Sequence, residues 1–430
     1  MNRAILNLAG LGAAGLTSRR SRGETMSYGS TEQATLGALP GHVDPGLVVD
    51  FDFYNPPGVR TDPHRAWKRL QGGPPVVFTQ HNGGHWIATS GEAIYAAMQD
   101  FQSFSSNPFN IPKRPAGSPR TVPLEVDPPE LQKYRMIAVP SLSPKALASL
   151  ENGMRTLMRS IIAEIKPAGR CEFISAFAVR MPVELFLNFV NLPASDRPLV
   201  RKWVEDVARN PDRHAQHAAH IATFEYVRKV LAERRAHPGD DLFSKLAMAS
   251  SDGRISEDDA AGMALNILFG GIETVTSALS FIVKFLAEHP EHRRELRENP
   301  GLTITAVEEF MRRFGILCLG RTAARDFNFY GADIRKDDRM LLPIHLYSLD
   351  EKNFERPLDV DFQREHYRHI NFGAGPHRCI GSNLARPELK VFLEEWLSAI
   401  PDFSIAPGEE PLGAGGAALS IVRLPLVWSV

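Results

Sequence analysis

Ten residues near the C-terminal end, Phe372-Gly373-Ala374-Gly375-Pro376-His377-Arg378-Cys379-Ile380-Gly381, constrain this chain more than any other stretch. One thiol stands in a glycine-rich loop, directly ahead of a helical pattern over Ser382–Ile400. A thiol at a helix N-terminus lies at the positive end of the dipole, which favours thiolate over thiol. Thiolate is the form that ligates a metal. Glycines let backbone N–H groups come close to the sulfur, and such donors tune the electron density of a metal-bound sulfur. His377 and Arg378 add polar and cationic groups at the same point. Cys171 and Cys318 have no such surroundings and read as small buried hydrophobes.

A chain of 430 residues with 43% hydrophobic residues can bury a large core, and a net charge of -1 gives nucleic acid nothing to hold. Residues 1–40 read as a disordered or mis-assigned N-terminal extension, with a weak targeting peptide as the alternative. The apolar run Ala4–Leu16 within it is too short to span a bilayer. No linker, repeat or charge block divides the remainder, so 41–430 reads as a single catalytic domain without a membrane span. Three scattered cysteines make no disulfide framework and point to a reducing cytosol.

The chain then alternates a small β region with long helical patterns. Val76–Thr79 and His85–Thr89 flank Asn82-Gly83-Gly84 and predict a hairpin. A helix is expected around Pro63–Leu70, another from Ser90, and a third from Asp127-Pro128-Pro129-Glu130 that carries Arg135. Residues 105–124 are Pro-rich and read as loop. His214, His217 and His220 recur every three residues in what reads as a surface lid segment, without the further ligands a metal site needs. Ser256-Glu257-Asp258-Asp259 has the form of a capping box opening a helix of roughly 30 residues, well above the average length. Adjacent glycines at 270 and 271 each cost that helix about 1 kcal/mol against alanine, so they predict either clearance, through a local widening or close approach to something flat, or simple helix–helix packing. A mid-helix Thr274 can bond the carbonyl four residues back and open a groove. Glu309 and Arg312 stand at i, i+3 on one helix face and can pair.

The pattern F-G-x-G-x-H-x-C-x-G at 372–381 resembles the haem-binding loop of the cytochrome P-450 superfamily. Gly270-Gly271-Ile272-Glu273-Thr274 resembles that family's oxygen-binding helix, and Glu309-Phe310-Met311-Arg312 its E-x-x-R. The resemblance covers nearly everything after residue 45. Through 82–89 and 400–408 it is nearest to the bacterial camphor-hydroxylase-like group. It implies the mostly α haem-thiolate fold with a small β region, and haem b held by Cys379. Phe372, Gly373, Gly375, Gly381, Gly270 and Gly271 would lie against the cofactor, with Arg135, Arg321 and His377 on its propionates. Thr274 and Glu273 would handle O2 and protons; many members carry aspartate at the Glu273 position. Glu309, Arg312 and Arg364 would form a buried structural triad.

The resemblance further implies hydroxylation of a small hydrophobic compound with O2 and two electrons from a [2Fe–2S] ferredoxin and its NAD(P)H reductase. Lys133, Arg135, Arg378, Arg386 and Lys390 would offer that acidic donor a basic face. Where the camphor enzyme has a ketone-binding tyrosine, the ungapped match gives Pro119, which has no donor. Asn266 shares a helix face with Gly270 and Thr274 and could replace it, with Phe269, Leu317 and Leu124 as apolar walls. Another compact terpenoid or ionone-like norisoprenoid is therefore expected. The rivals are a peroxide-driven relative and a non-catalytic haem-binding sensor, neither of which would need the Glu273–Thr274 pair.

Overall fold

The hairpin turn is set by three consecutive residues with positive φ, Asn82 (57°), Gly83 (87°) and Gly84 (81°), a conformation that asparagine and glycine tolerate best. It pairs Val76–Thr79 with His85–Ala88 antiparallel, Val76 opposite Ala88 and Thr79 opposite His85. In this computed structural model, which describes residues 36–113, 121–209 and 212–430, the hairpin forms one side of a five-stranded sheet. Arg339–Pro343, Cys318–Ala323 and Phe104–Ser105 follow it in that order. Most of the expected N-terminal extension, and Pro119, lie outside the described residues. A three-stranded sheet joins Arg170–Glu172, Pro425–Trp428 and Phe403–Ile405. The rest is mostly helix, as the mostly α fold class requires.

The long helix runs Glu257–Glu288, with the Ser256 side chain accepting from the Asp259 amide and three acids in its first turn. It stops at His289, and Pro290 opens the next helix, Pro290–Glu298. By length and composition it could cross a membrane. Its buried residues run from Ala260 to Ala287, and one core cluster from Val43 to Trp428 includes most of them. It is a core helix, apolar because protein surrounds it.

Two elements differ from expectation. The Arg135 helix spans Leu131–Ala138 and starts a turn later than predicted, because a proline disfavours the helical conformation in the residue before it, which restricts both Asp127 and Pro128. The three histidines lie on the helix Arg213–Ala236 itself, each exposed, rather than between helices.

The helix Thr303–Arg313 presents Glu309 and Arg312 to the interior, at 1% and 0% side-chain exposure. Arg312 donates twice to the carboxylate, Nε at 2.7 Å and Nη2 at 2.8 Å. Arg364 Nε adds contacts at 3.1 and 3.2 Å, and the Asp361 amide donates at 3.0 Å. The spare Arg312 donors reach the carbonyls of Ser348, Pro357 and Asp359. The expected triad is thus assembled with its polar atoms satisfied. Removing one partner of a buried pair leaves an uncompensated charge, so Arg312→Ala should lower the unfolding free energy by about 3–5 kcal/mol in urea titrations. A loss under about 1 kcal/mol, the range of exposed pairs, would show that Arg364 alone satisfies Glu309.

Candidate active site

The cysteine loop is built onto the end of that helix. The Asn371 side chain donates to the Met311 and Arg312 carbonyls at 2.5 and 3.0 Å. Gly315 is needed beside it, since a Cβ there would come within 2.2 Å of the Asn371 carboxamide. The Cys379 amide then donates to the Phe372 carbonyl at 2.7 Å, closing the loop. Gly373 (φ 79°) and Gly375 (φ 66°) turn the chain in the left-handed region, and a Cβ on Gly375 would strike the Met98 carbonyl at 2.4 Å. These two glycines serve the turn and its packing. Gly381 is the one at the sulfur, 3.7 Å from Cys379 Sγ to a hypothetical Cβ, an ordinary contact.

Cys379 is reachable from one side, yet burial is the largest influence on its thiol and pushes it above its ordinary value. The Gly381 and Ser382 amides and the charges of Arg135 and Arg386 pull the other way without prevailing. The expected bias toward thiolate is therefore not met by the protein alone. The donors are in place, and a bound cation would supply the rest, since a coordinating thiol is deprotonated outright.

Three nitrogen side chains gather near this loop. Arg321 is buried, and burial lowers it to about 10, against the attraction of Asp127. It donates to the Gly320 carbonyl at 2.8 Å and has no carboxylate within 4 Å among the described residues. His377 bonds Ser106 Oγ at 3.0 Å, and its pKa is lowered, chiefly by burial, with Asp127 opposing. Arg135 donates to the Arg378 carbonyl at 3.0 Å and is also lowered by burial. Its helix is tied to the start of the long helix by Tyr134 Oη on Asp259 Oδ2 at 3.0 Å. A buried guanidinium, a half-buried one and an imidazole, with Asp127 the carboxylate acting on Arg321 and His377, form a setting short of negative charge.

On the long helix, Thr274 Oγ1 donates to the Gly270 carbonyl at 2.7 Å, the predicted bond. Gly270 looks into open space, whereas Gly271 packs against Phe186 at 3.7 Å to a hypothetical Cβ. The two glycines thus divide the two readings, clearance and helix packing. Asn266 is half-buried, and Glu273 is half-buried beside Thr274. Phe269 stacks on the His220 ring at 5.9 Å and 8°. Leu317 is half-buried next to the Cys318–Ala323 strand, and Leu124 is 38% exposed.

The Cytochrome P450 family model matches residues 183–412. The chain belongs to the cytochrome P450 family. This P450 resembles crystal structures of CYP101C1 (36% identity, TM-score 0.85) and CYP101J2 (32%, 0.83), each over 91% of this chain and 100% of the other. A sequence relative is the probable cytochrome P450 127A1 of Sinorhizobium fredii, 29% identical over 91% of this chain and 97% of its own. The protein is a P450 monooxygenase with haem b as its cofactor. The residues present fit that group, with a thiol facing two amides, a buried Arg321 short of carboxylates, and clearance at Gly270.

The basic face reads differently once partners are visible. Lys133 pairs with Glu130, Lys390 with Glu151 and Glu394, and Arg386 with Glu308. Burial would raise Glu308, but His369 and Arg386 together hold it at about 2. Arg386 also lies over the Phe372 ring, 4.5 Å from its centroid. Among the described residues, only Arg378 of the five is exposed and without an ion-pair or hydrogen-bond partner for its side chain. Cys379→His should abolish the red-shifted Soret band of the ferrous carbonyl complex while leaving the far-ultraviolet dichroism intact; an unchanged band would remove Cys379 as ligand.

Proposed function

We propose that this P450 hydroxylates an unactivated C–H bond of a small hydrophobic terpenoid or ionone-like norisoprenoid in the cytosol, with residues 41–430 acting as one catalytic unit. Electrons come from a [2Fe–2S] ferredoxin and its NAD(P)H reductase. The observation that carries the substrate reading is Asn266, half-buried on the face of Gly270 and Thr274 and without a side-chain hydrogen bond among the described residues. A half-buried amide beside apolar Phe269 favours a ligand that is mostly hydrocarbon with one oxygen to bond.

Haem b supplies the activation of O2 and the transfer of one oxygen atom to carbon. Cys379 would hold it and donate electron density. Arg135, Arg321 and His377 would hold its two carboxylates. Thr274, with its hydrogen committed to Gly270, keeps lone pairs free to accept a hydrogen bond in the groove, and Glu273 beside it relays protons inward. Apolar side chains at Phe269, Leu317 and Leu124 would add apolar walls to the substrate site.

Thr274→Ala should keep NAD(P)H consumption while diverting oxygen to hydrogen peroxide; full coupling would count against the relay. Asn266→Leu should weaken binding of oxygenated terpenoids by about tenfold, a hydrogen bond's worth, and spare hydrocarbons, read as the spin-state shift on titration. Equal affinity for every oxygenated ligand would sink the pocket argument.

A further inference from the structure

The chain reverses at His289–Pro290, where the long helix hands over to Pro290–Glu298. His289, Glu291 and His292 meet there, their ligand-capable atoms all within 4.8 Å of one another. His289 Nδ1 and His292 Nδ1 lie 2.9 and 3.3 Å from the same oxygen, Glu291 Oε1. Both rings are fixed by aromatic neighbours. His289 stacks on Phe285 at 4.2 Å, and His292 stands edge-on to Phe285 and Phe362.

The decisive contact is on the far side of His292, whose Nε2 lies 3.2 Å from the Val360 carbonyl. A carbonyl only accepts, so Nε2 carries the hydrogen, and in the neutral ring Nδ1 presents a lone pair. That lone pair faces a carboxylate oxygen, two acceptors against each other, a clash that either a proton or a divalent cation between them removes. An imidazole bound to metal through one nitrogen while the other donates to a backbone carbonyl is the usual supporting arrangement. Bonds of about 2.1 Å to nitrogen and oxygen in a tetrahedral site put ligand atoms about 3.4 Å apart; the two contacts to Glu291 are already close to that spacing, and the two histidine nitrogens, within 4.8 Å of each other, would draw together on binding. The positive end of the Pro290–Glu298 helix opposes a cation, but the effect is small and screened at an exposed end, and Glu291 supplies the countercharge.

We propose that His289, Glu291 and His292 form a binding site for a divalent transition cation, zinc by ligand chemistry. The site is independent of the haem and oxygen chemistry. It would clip the end of the long helix, through His292 and Val360, to the segment whose next residue, Asp361, donates to Glu309. A structural rather than catalytic role follows.

Tag-free holoprotein, stripped with chelator and then dialysed against zinc, should retain one zinc per chain by elemental analysis, with iron counted separately. His289→Ala/His292→Ala should lose that zinc, and Glu291→Gln should weaken retention at least tenfold. All variants should keep the ferrous carbonyl spectrum, which verifies folding. His214→Ala/His217→Ala, which removes two exposed histidines elsewhere, should retain the zinc. No zinc on the parent protein, retention by the first double variant, or equal loss from the second would overturn the site.

Discussion

One carboxylate organises the cysteine side of the molecule. Glu309 is all but excluded from solvent and receives donors from Arg312, Arg364 and the Asp361 amide. Against well-packed hydrophobic residues of similar volume such a cluster adds little stability. Its value lies in what it forbids. Arg312 can satisfy its donors only if the Ser348, Pro357 and Asp359 carbonyls sit where they do, so two distant stretches of chain are locked to one helix. That same helix end receives Asn371. The thiol therefore takes its position from a charge network in which it has no part.

The second constraint is electrostatic. Burying a guanidinium without a carboxylate is costly, and Arg321 is buried with only its neighbour's carbonyl as hydrogen-bond partner among the described residues. Lowered to about 10, it still carries its charge at neutral pH. With His377 beside Asp127 and half-buried Arg135 near that imidazole, the arrangement becomes reasonable when anionic groups are added, and the carboxylates of haem b are such groups. The thiol tells the matching story with opposite sign, since its environment resists an anion until a cation is coordinated. Both imbalances resolve with one ligand.

Much of this was legible in the sequence because it rests on local chemistry. The capping box at Ser256, the Asn-Gly-Gly turn, the Glu309–Arg312 spacing and the bond from Thr274 to Gly270 each involve residues within four positions of one another. What escaped depends on partners far along the chain. Arg386 reads as a docking cation until Glu308, on another helix, is seen against it. Phe269 reads as a bare apolar wall until His220 stacks on it. The balance at Cys379 was misjudged for the same reason. The helix end and the amides are visible in sequence, whereas the burial that outweighs them is a property of the whole fold. Nor does periodicity distinguish Gly270 from Gly271, which differ only in having open space or Phe186 beside them.

The paired cations change how an electron donor would be recognised. Lys133, Lys390 and Arg386 each bring their own carboxylate, so their long-range field is largely cancelled, and exposed ion pairs are further screened by salt. Steering by net positive charge then falls mainly to Arg378, next to Cys379, with Arg135 half-buried. An acidic partner could still gain by displacing Glu130, Glu151 or Glu394 from their lysines, exchanging one carboxylate for another at small net cost. Such an exchange gives little affinity and some geometric selectivity, since the displaced carboxylates must have somewhere to turn. Arg386 is poorly suited to it, being fixed between Glu308 and the Phe372 ring. Its charge therefore serves the cysteine loop from within.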